Sequence, residues 1–425
     1  MSTNSAVPER SLSRRIGVFD AVSIGLGSMI GAGIFIALAP AAEAAGSGTG
    51  LLVGLAVAAL VAYCNATSSA RLAARYPVSG GTYIYGRERL GEFWGYLAGW
   101  GFVVGKIASC SAMALTVGFY AWPQHAHAVA AGAVVALTVV NYFGVQKSAW
   151  ATRAIVTVVL AVLAAVGVAT ITSDAAQADR VLGGTDGSVS GVLQAAGLLF
   201  FAFAGYARIA TLGEEVRDPA KTIPRAIPIA LGITLFVYAA VAVAALSVLG
   251  SIGLGASEAP LTDAVVAAGA SGLEPVVQIG AVVAALGSML ALLLGVSRTT
   301  FAMAKDRHLP HGLAAVHPKF KVPHRAELAV GVVVATLAAT TDVRQVIGFS
   351  SFAVLVYYLI ANAAAWTLTE TEGRPVRIIP IAGAAGCVVL AFSLPASSVL
   401  AGTVVLAFGA LAYAAHNILA RRLGH

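Results

Sequence analysis

Hydrophobic residues in this chain form long runs separated by short polar segments. Many of the runs approach the roughly 20 residues that cross a bilayer as helix. Twelve stretches stand out, at 18–42, 50–70, 93–120, 125–145, 153–172, 190–212, 226–250, 272–300, 327–341, 345–368, 377–394 and 398–419. Membrane-spanning strands would be segments of about 10 residues with alternating polarity, and that pattern is missing. The expected fold is an all-α polytopic membrane protein of about 12 transmembrane helices, with short tails at 1–17 and 420–425.

Two of the stretches contain glycine where a straight helix has no use for it. They read GSMIGAGIF at 27–35 and FFAFAGYARIA at 200–210. Glycine weakens a helix interior. A break in hydrocarbon also strands backbone N–H and C=O groups, each costing several kcal/mol if unpaired. Breaks at corresponding places in two halves are a pointer to a solute site. They divide the chain into a first repeat at 18–172 and a second at 190–368, with 377–419 left over. Five spans is an odd number, so the second half enters from the opposite side, a 5+5 inverted repeat with discontinuous helices 1 and 6.

A half-helix N-terminus suits a carboxylate, and a half-helix C-terminus presents carbonyls that suit an ammonium. A zwitterionic amino acid offers both groups. The amides of Ala32, Gly33 and Ile34 are candidate carboxylate donors, with Gly31 and Gly33 allowing close backbone approach. The carbonyls of Met29, Ile30, Phe203 and Ala204, beside Gly205, are candidate ammonium acceptors. Small-residue helix packing is the competing explanation; it accounts for one glycine stretch better than for two paired ones.

The composition agrees with membrane residence: 59% hydrophobic, 11% charged, mean hydropathy +0.87. The net charge of +7 is topological. With the N-terminus inside, every Lys and Arg except Lys106, Arg180, Arg208 and Arg344 falls on the inner side. The positive-inside rule then places both termini in the cytoplasm; no nucleic-acid partner is implied. The Ala-, Gly- and Val-rich composition with short loops points to a bacterial inner membrane. Cys64, Cys110 and Cys387 lie in apolar runs and read as core residues. The histidines of the 304–326 loop, and His125 and His127, lack acid or thiol companions and read as solvated. No metal or cofactor is expected.

Four stretches, in order, resemble the amino acid–polyamine–organocation superfamily of permeases, with its LeuT-type fold: GSMIGAGIF, RLAARYPVSGGTYIYGRERLG at 71–91, LGEEVRDPAKTIPRAI at 212–227 and SRTTFAMAKDRHLP at 297–310. The resemblance covers nearly the whole chain. It implies a transporter with no catalytic residues, moving an amino acid by alternating access. It also implies that Phe201 matches an aromatic that closes over substrate, near Phe200, Phe203 and Tyr206. In the 212–227 loop, Glu214, Glu215 and Asp218 face Arg217, Lys221 and Arg225, an inner network for gating or merely a solvated loop. Pro219, Pro224 and Pro228 are expected to set rigid turns there.

Lys106 lies mid-span with no acid at i±3 or i±4. An intramembrane charge is a functional hypothesis by default. By position it resembles a third-span site that meets the substrate side chain in relatives. It is a neutral proton shuttle, a partner for an anionic group, or a snorkelling side chain. The chain departs from the resemblance twice. Span 5 has no lysine to stand in for sodium, and Ala207, followed by Arg208, occupies the place of a coupling acid. Sodium stays open through the hydroxyls of Ser288 and Ser297, which otherwise serve packing. A proton is the other coupling ion.

A gradient-driven symporter or exchanger of neutral or acidic amino acids is the leading expectation, since no GxxxxGK[ST] phosphate loop occurs. A polyamine or cationic amino acid carrier, or an exporter, is the alternative. A channel or membrane enzyme lacks the pore rings or the polar clusters it needs.

Overall fold

The computed structural model describes residues 16–77, 80–144, 149–183, 187–206, 209 and 216–422. The first predicted span is three helical pieces, α1 (Val18–Met29), α2 (Ala32–Ile36) and α3 (Leu38–Ala45). Then follow α4 (Gly48–Arg75), the short α5 (Thr82–Leu90), α6 (Glu92–Ala121), α7 (Ala126–Tyr142), α8 (Ala149–Ile171) and α9 (Ala178–Leu182). The sixth span is α10 (Val189–Phe203), ending in a 3-10 turn at Ala204–Tyr206. After it come α11 (Pro219–Ala256), α12 (Pro260–Ala267), α13 (Glu274–Lys305), α14 (His324–Thr340), α15 (Val343–Trp366), α16 (Ile378–Ser393) and α17 (Ala396–Arg422).

Among the described residues, ten segments are long and apolar enough to cross a membrane. The predicted spans 327–341 and 377–394 coincide with α14 and α16, of 17 and 16 residues. At 1.5 Å per residue these reach only about 25 Å. The protein is a multi-pass, all-α membrane protein.

Local chemistry sets several boundaries. Ser47 starts α4 by accepting a hydrogen bond from the Gly50 amide, and Ser188 starts α10 in the same way with Gly191. Pro77 closes α4, and Gly80 and Gly81, at φ 132° and 57°, turn the chain into α5, a region where a Cβ is strained. The proline-rich segment after the sixth span departs from expectation. Pro219 is the first residue of α11, and Pro224 and Pro228 lie inside it, not in turns. A proline is free of penalty at a helix start. The two interior ones are held by packing of α11 against α1, α4 and α8. The kink in α11 is instead at Gly250, φ 65°.

The most enclosed spans are α6 and α15, while α7 and α17 face outward. Gly105 of α6 sits on α15 so closely that an added Cβ would lie 2.9 Å from the Ala353 Cβ. Small residues substitute for a hydrophobic driving force between helices in lipid. The same device joins the two glycine-containing spans at the centre. A Cβ on Gly33 would lie 2.8 Å from the Ala202 Cα of α10. One on Gly205 would collide with the Ser28 carbonyl and lie 2.8 Å from the Met29 nitrogen.

Gly33→Ala should therefore push α2 from α10 and lower the thermal midpoint of the purified protein, a destabilisation of about 1–3 kcal/mol by overpacking. Gly132→Ala, on an open face of α7 with nothing within 4 Å, is the control and should not lower the midpoint, since alanine favours a helix interior over glycine.

Candidate functional site

The interruption of the first span has a defined backbone geometry. Ile30, at φ −79° and ψ 66°, is the centre of an inverse γ-turn. The Gly31 amide closes it by donating to the Met29 carbonyl at 2.8 Å. The chain resumes as helix at Ala32, and no side chain caps that start. Ala32, Gly33 and Ile34, the candidate amide donors, are its first turn and are fully buried. They lie in the bundle interior, against α6, α10 and α13.

Met29 differs from its expected part. Its carbonyl accepts from Gly31 and also from the hydroxyl of Tyr238, on α11, at 2.5 Å. Both lone pairs are engaged, so it is not a free acceptor for an ammonium. The Tyr238 oxygen also lies 3.1 Å from the Ala202 carbonyl on α10. One phenol thus bridges the two interrupted spans. Tyr120 of α6 acts similarly further along, donating to the Phe35 carbonyl at 2.8 Å and accepting from the Leu261 amide at 3.3 Å. Sequence reasoning missed both tyrosines. The available signal was a phenol at mid-span, where a polar tip demands a partner.

In the sixth span, Phe203 ends α10 and packs on the Tyr238 ring at 5.2 Å between centroids. Phe200 meets Tyr358, and Tyr206 stacks on the same ring. Phe200 and Phe203 are sealed, whereas Phe201 keeps 8% of its surface open. Ala204 and Gly205 form the 3-10 turn. Lys106 is 7% exposed, and its Nζ donates to the Ala204 carbonyl at 3.5 Å. This long hydrogen bond points the amine at the interruption. Ala207, Arg208, Glu214 and Glu215 lie outside the described residues.

The candidate ion ligands do not converge. Ser288 of α13 presses its hydroxyl on Gly31. Ser297 bonds back to its own helix, at the Leu294 carbonyl, 3.1 Å away. Nine residues of helix separate the two by about 13.5 Å, too far to share one cation.

Of the expected inner network, Arg217 and Asp218 are described. Arg217 donates its amide to the Ile16 carbonyl at 2.9 Å, and Asp218 adopts φ 43°; neither side chain forms an ion pair with another described residue. Ion pairs join Arg75 and Arg89 to Glu372 at 3.2 and 2.6 Å, and Arg87 to Asp306 at 3.3 Å. The Arg89 guanidinium, then the Thr369 amide, hold the Glu372 carboxyl at about 2. His308 is not a solvated loop residue. It accepts or donates at Nδ1 with the Tyr83 hydroxyl, 3.0 Å away, and burial pushes its imidazole below the ordinary value.

Two further pairs hold the ends of the interrupted first span. Asp20 on α1 pairs with Arg153 on α8. Glu43 on α3 pairs with Arg344 on α15, whose other arm donates to the Gly255 carbonyl at 2.8 Å. The inner and outer pieces are thereby fastened to different neighbours. Arg344 was visible as an exception to the charge pattern, without its partner.

Comparison with known proteins bears on this geometry. Residues 16–417 match the family profile described as amino acid permease. The chain is 72% identical over 411 residues to an uncharacterised transporter of Mycobacterium tuberculosis, covering 97% of this chain and 93% of the relative. It is 28% identical over 391 residues to a branched-chain amino acid permease of Bacillus subtilis, covering 86% and 83%. It is 27% identical over 404 residues to a chloroplastic cationic amino acid transporter of Arabidopsis thaliana, covering 88% and 68%.

Tyr238→Phe removes the donor and leaves two buried carbonyls short of it. The expected loss is about 1–3 kcal/mol, seen as a lower thermal midpoint in detergent. An unchanged midpoint would show that the bridge contributes nothing.

Proposed function

The chain belongs to the amino acid permease family, and from that premise we propose that it moves neutral or acidic amino acids through the bundle centre by alternating access, as a proton-coupled symporter or an exchanger. The observation that supports this most is the meeting of two interrupted helices with Lys106 directed at one of them. The protein is a membrane transporter, as its family is, and not an enzyme. A bacterial inner membrane, with both termini cytoplasmic, is the proposed location. The repeats at 18–172 and 190–368 supply the two interrupted helices in this reading.

The amides of Ala32, Gly33 and Ile34 would take the substrate carboxylate at the start of α2. The carbonyls of Ile30, Phe203 and Ala204 would take its ammonium, since Met29 is occupied. Phe201, with its open edge, would close over the bound solute. Glu43–Arg344 and Asp20–Arg153 would exchange partners as α1 and α3 swing in turn; they replace Arg217 and Asp218 as candidate latches. Glu214 and Glu215 keep the inner role first read for them as a proposal.

Charge ranks the substrates. A Lys106 ammonium beside the site repels a cation, and an acidic side chain neutralises it in a low-dielectric surround where such pairing is strong. The cationic relative's substrate is therefore ranked lower here.

The test is uptake into proteoliposomes with a panel of acidic, neutral and basic amino acids. Lys106→Met should shift preference from acidic toward neutral substrates by about tenfold or more, equal to 1.4 kcal/mol or more. The same ranking in both proteins would remove Lys106 from the site. Binding is checked separately by thermal shift, where ligand at about 100 times Kd adds roughly 2.7 kcal/mol.

A further inference from the structure

Coupling to a proton needs a group that binds one, and neither place suggested by relatives supplies it. A different carboxyl does. Glu327 lies in the first turn of α14, 4% exposed, and neither oxygen has a hydrogen-bond partner among the described residues. An enclosed carboxyl with no partner is unfavourable as a bare anion.

Two other polar atoms near it are in the same condition. Asn141 of α7 donates from Nδ2 to the Leu290 carbonyl of α13 at 3.4 Å. That bond orients the amide, and its Oδ1 is left buried and unpartnered. His324 Nδ1, one turn before Glu327, is also unpartnered. The register brings these groups together. Gly331 of α14 abuts Thr138 of α7, and the His324 ring stands 6.3 Å from that of Tyr142. The helices are antiparallel, so Glu327 and Asn141, each between those two contacts, occupy facing turns. Leu290 is two residues from Ser288, whose hydroxyl presses on Gly31. A route of packed groups thus runs from the carboxyl to the first interruption.

We propose that Glu327 binds the coupling proton, its carboxyl O–H donating to Asn141 Oδ1. The proposal rests on the permease reading above. The proton is taken up from one side and released to the other, with no other bond made or broken. Protonated, the pair satisfies one Glu327 oxygen and Asn141 Oδ1. Deprotonated, two acceptors face each other and α7 and α14 separate, which moves α13 against Gly31. The surrounding titratable and charged groups are Arg298 on α13, within Coulombic range but not hydrogen-bonded to it. His324 and Arg325 lie on its own helix, and Arg325 turns to the Gly312 carbonyl. His317 stacks on His324 from the loop, and Tyr142 comes from α7. From α6, Ser111 meets α14 at the Val334 carbonyl.

The full-length protein in liposomes, with an equimolar mixture of radiolabelled L-amino acids, tests this. An inside-alkaline gradient should raise wild-type accumulation by about tenfold per pH unit for one proton. Glu327→Gln should lose that response and keep gradient-free exchange, which also shows that it folds. Glu327→Asp should retain it. A Glu327→Gln variant that still accumulates with the gradient overturns the proposal. A wild type that exchanges amino acids but ignores the gradient overturns it too, while the permease reading stands. If no amino acid enters at all, the permease reading fails, and infrared spectroscopy decides the rest. A protonated-carboxyl band that titrates in the wild type and is missing from Glu327→Gln supports the assignment, and the same band in both overturns it.

Discussion

A peptide group inside hydrocarbon must find a partner, and the centre of this protein is organised by that demand. Each interruption of a membrane helix leaves donors and acceptors that water cannot satisfy. Here the protein meets part of the demand itself. Ile30 folds into a γ-turn, Tyr238 supplies one hydroxyl between two carbonyls, and Lys106 directs its amine at a third. Not everything is covered. The first turn of α2 has no side-chain cap. If a solute binds there as proposed, a site partly satisfied by side chains would be stable when empty and still able to bind.

The same interruption makes motion possible. A continuous helix transmits displacement along its axis, whereas α1 and α3 are joined only through a γ-turn and a five-residue piece. Their outer ends are fastened separately, Asp20 to α8 and Glu43 to α15. Exposed ion pairs contribute little to stability, which suits the partner exchange proposed for them. The close backbone packing of Gly33 on Ala202 and of Gly205 on Ser28 and Met29 ties the centre together.

Much of this was legible in the chain before any coordinate. The helix order follows from run length, and the first interruption from Gly-Ala-Gly at 31–33. Lys106 was conspicuous because a cation at that depth is rare. What could not be read depends on contacts between distant residues. Tyr238 meets Met29 across 209 positions, and nothing in either neighbourhood announces the pairing. The prolines of α11 mislead for a related reason, because local propensity favours turns there and packing overrides it. Ser288 and Ser297 share a helix, but rise along its axis separates them. Glu327 read as the edge of a span, and only its neighbours on α7 and α13 reveal that it is enclosed.

Charge inside the bundle follows from these placements. A lone cation and a lone acid occur on different helices, Lys106 on α6 and Glu327 on α14, each without an ionic partner among the described residues. Had they been adjacent, they would form a buried pair, which is costly to assemble and inert once made. Held apart, each remains responsive to something mobile. The amine of Lys106 faces the second interruption, and the carboxyl of Glu327 is enclosed with no hydrogen-bond partner among the described residues. Both helices pack on α13, the helix that touches Gly31. In the proposed mechanism a change of charge at either place would alter packing at the same backbone turn, one mechanical element through which cargo and coupling ion would influence each other.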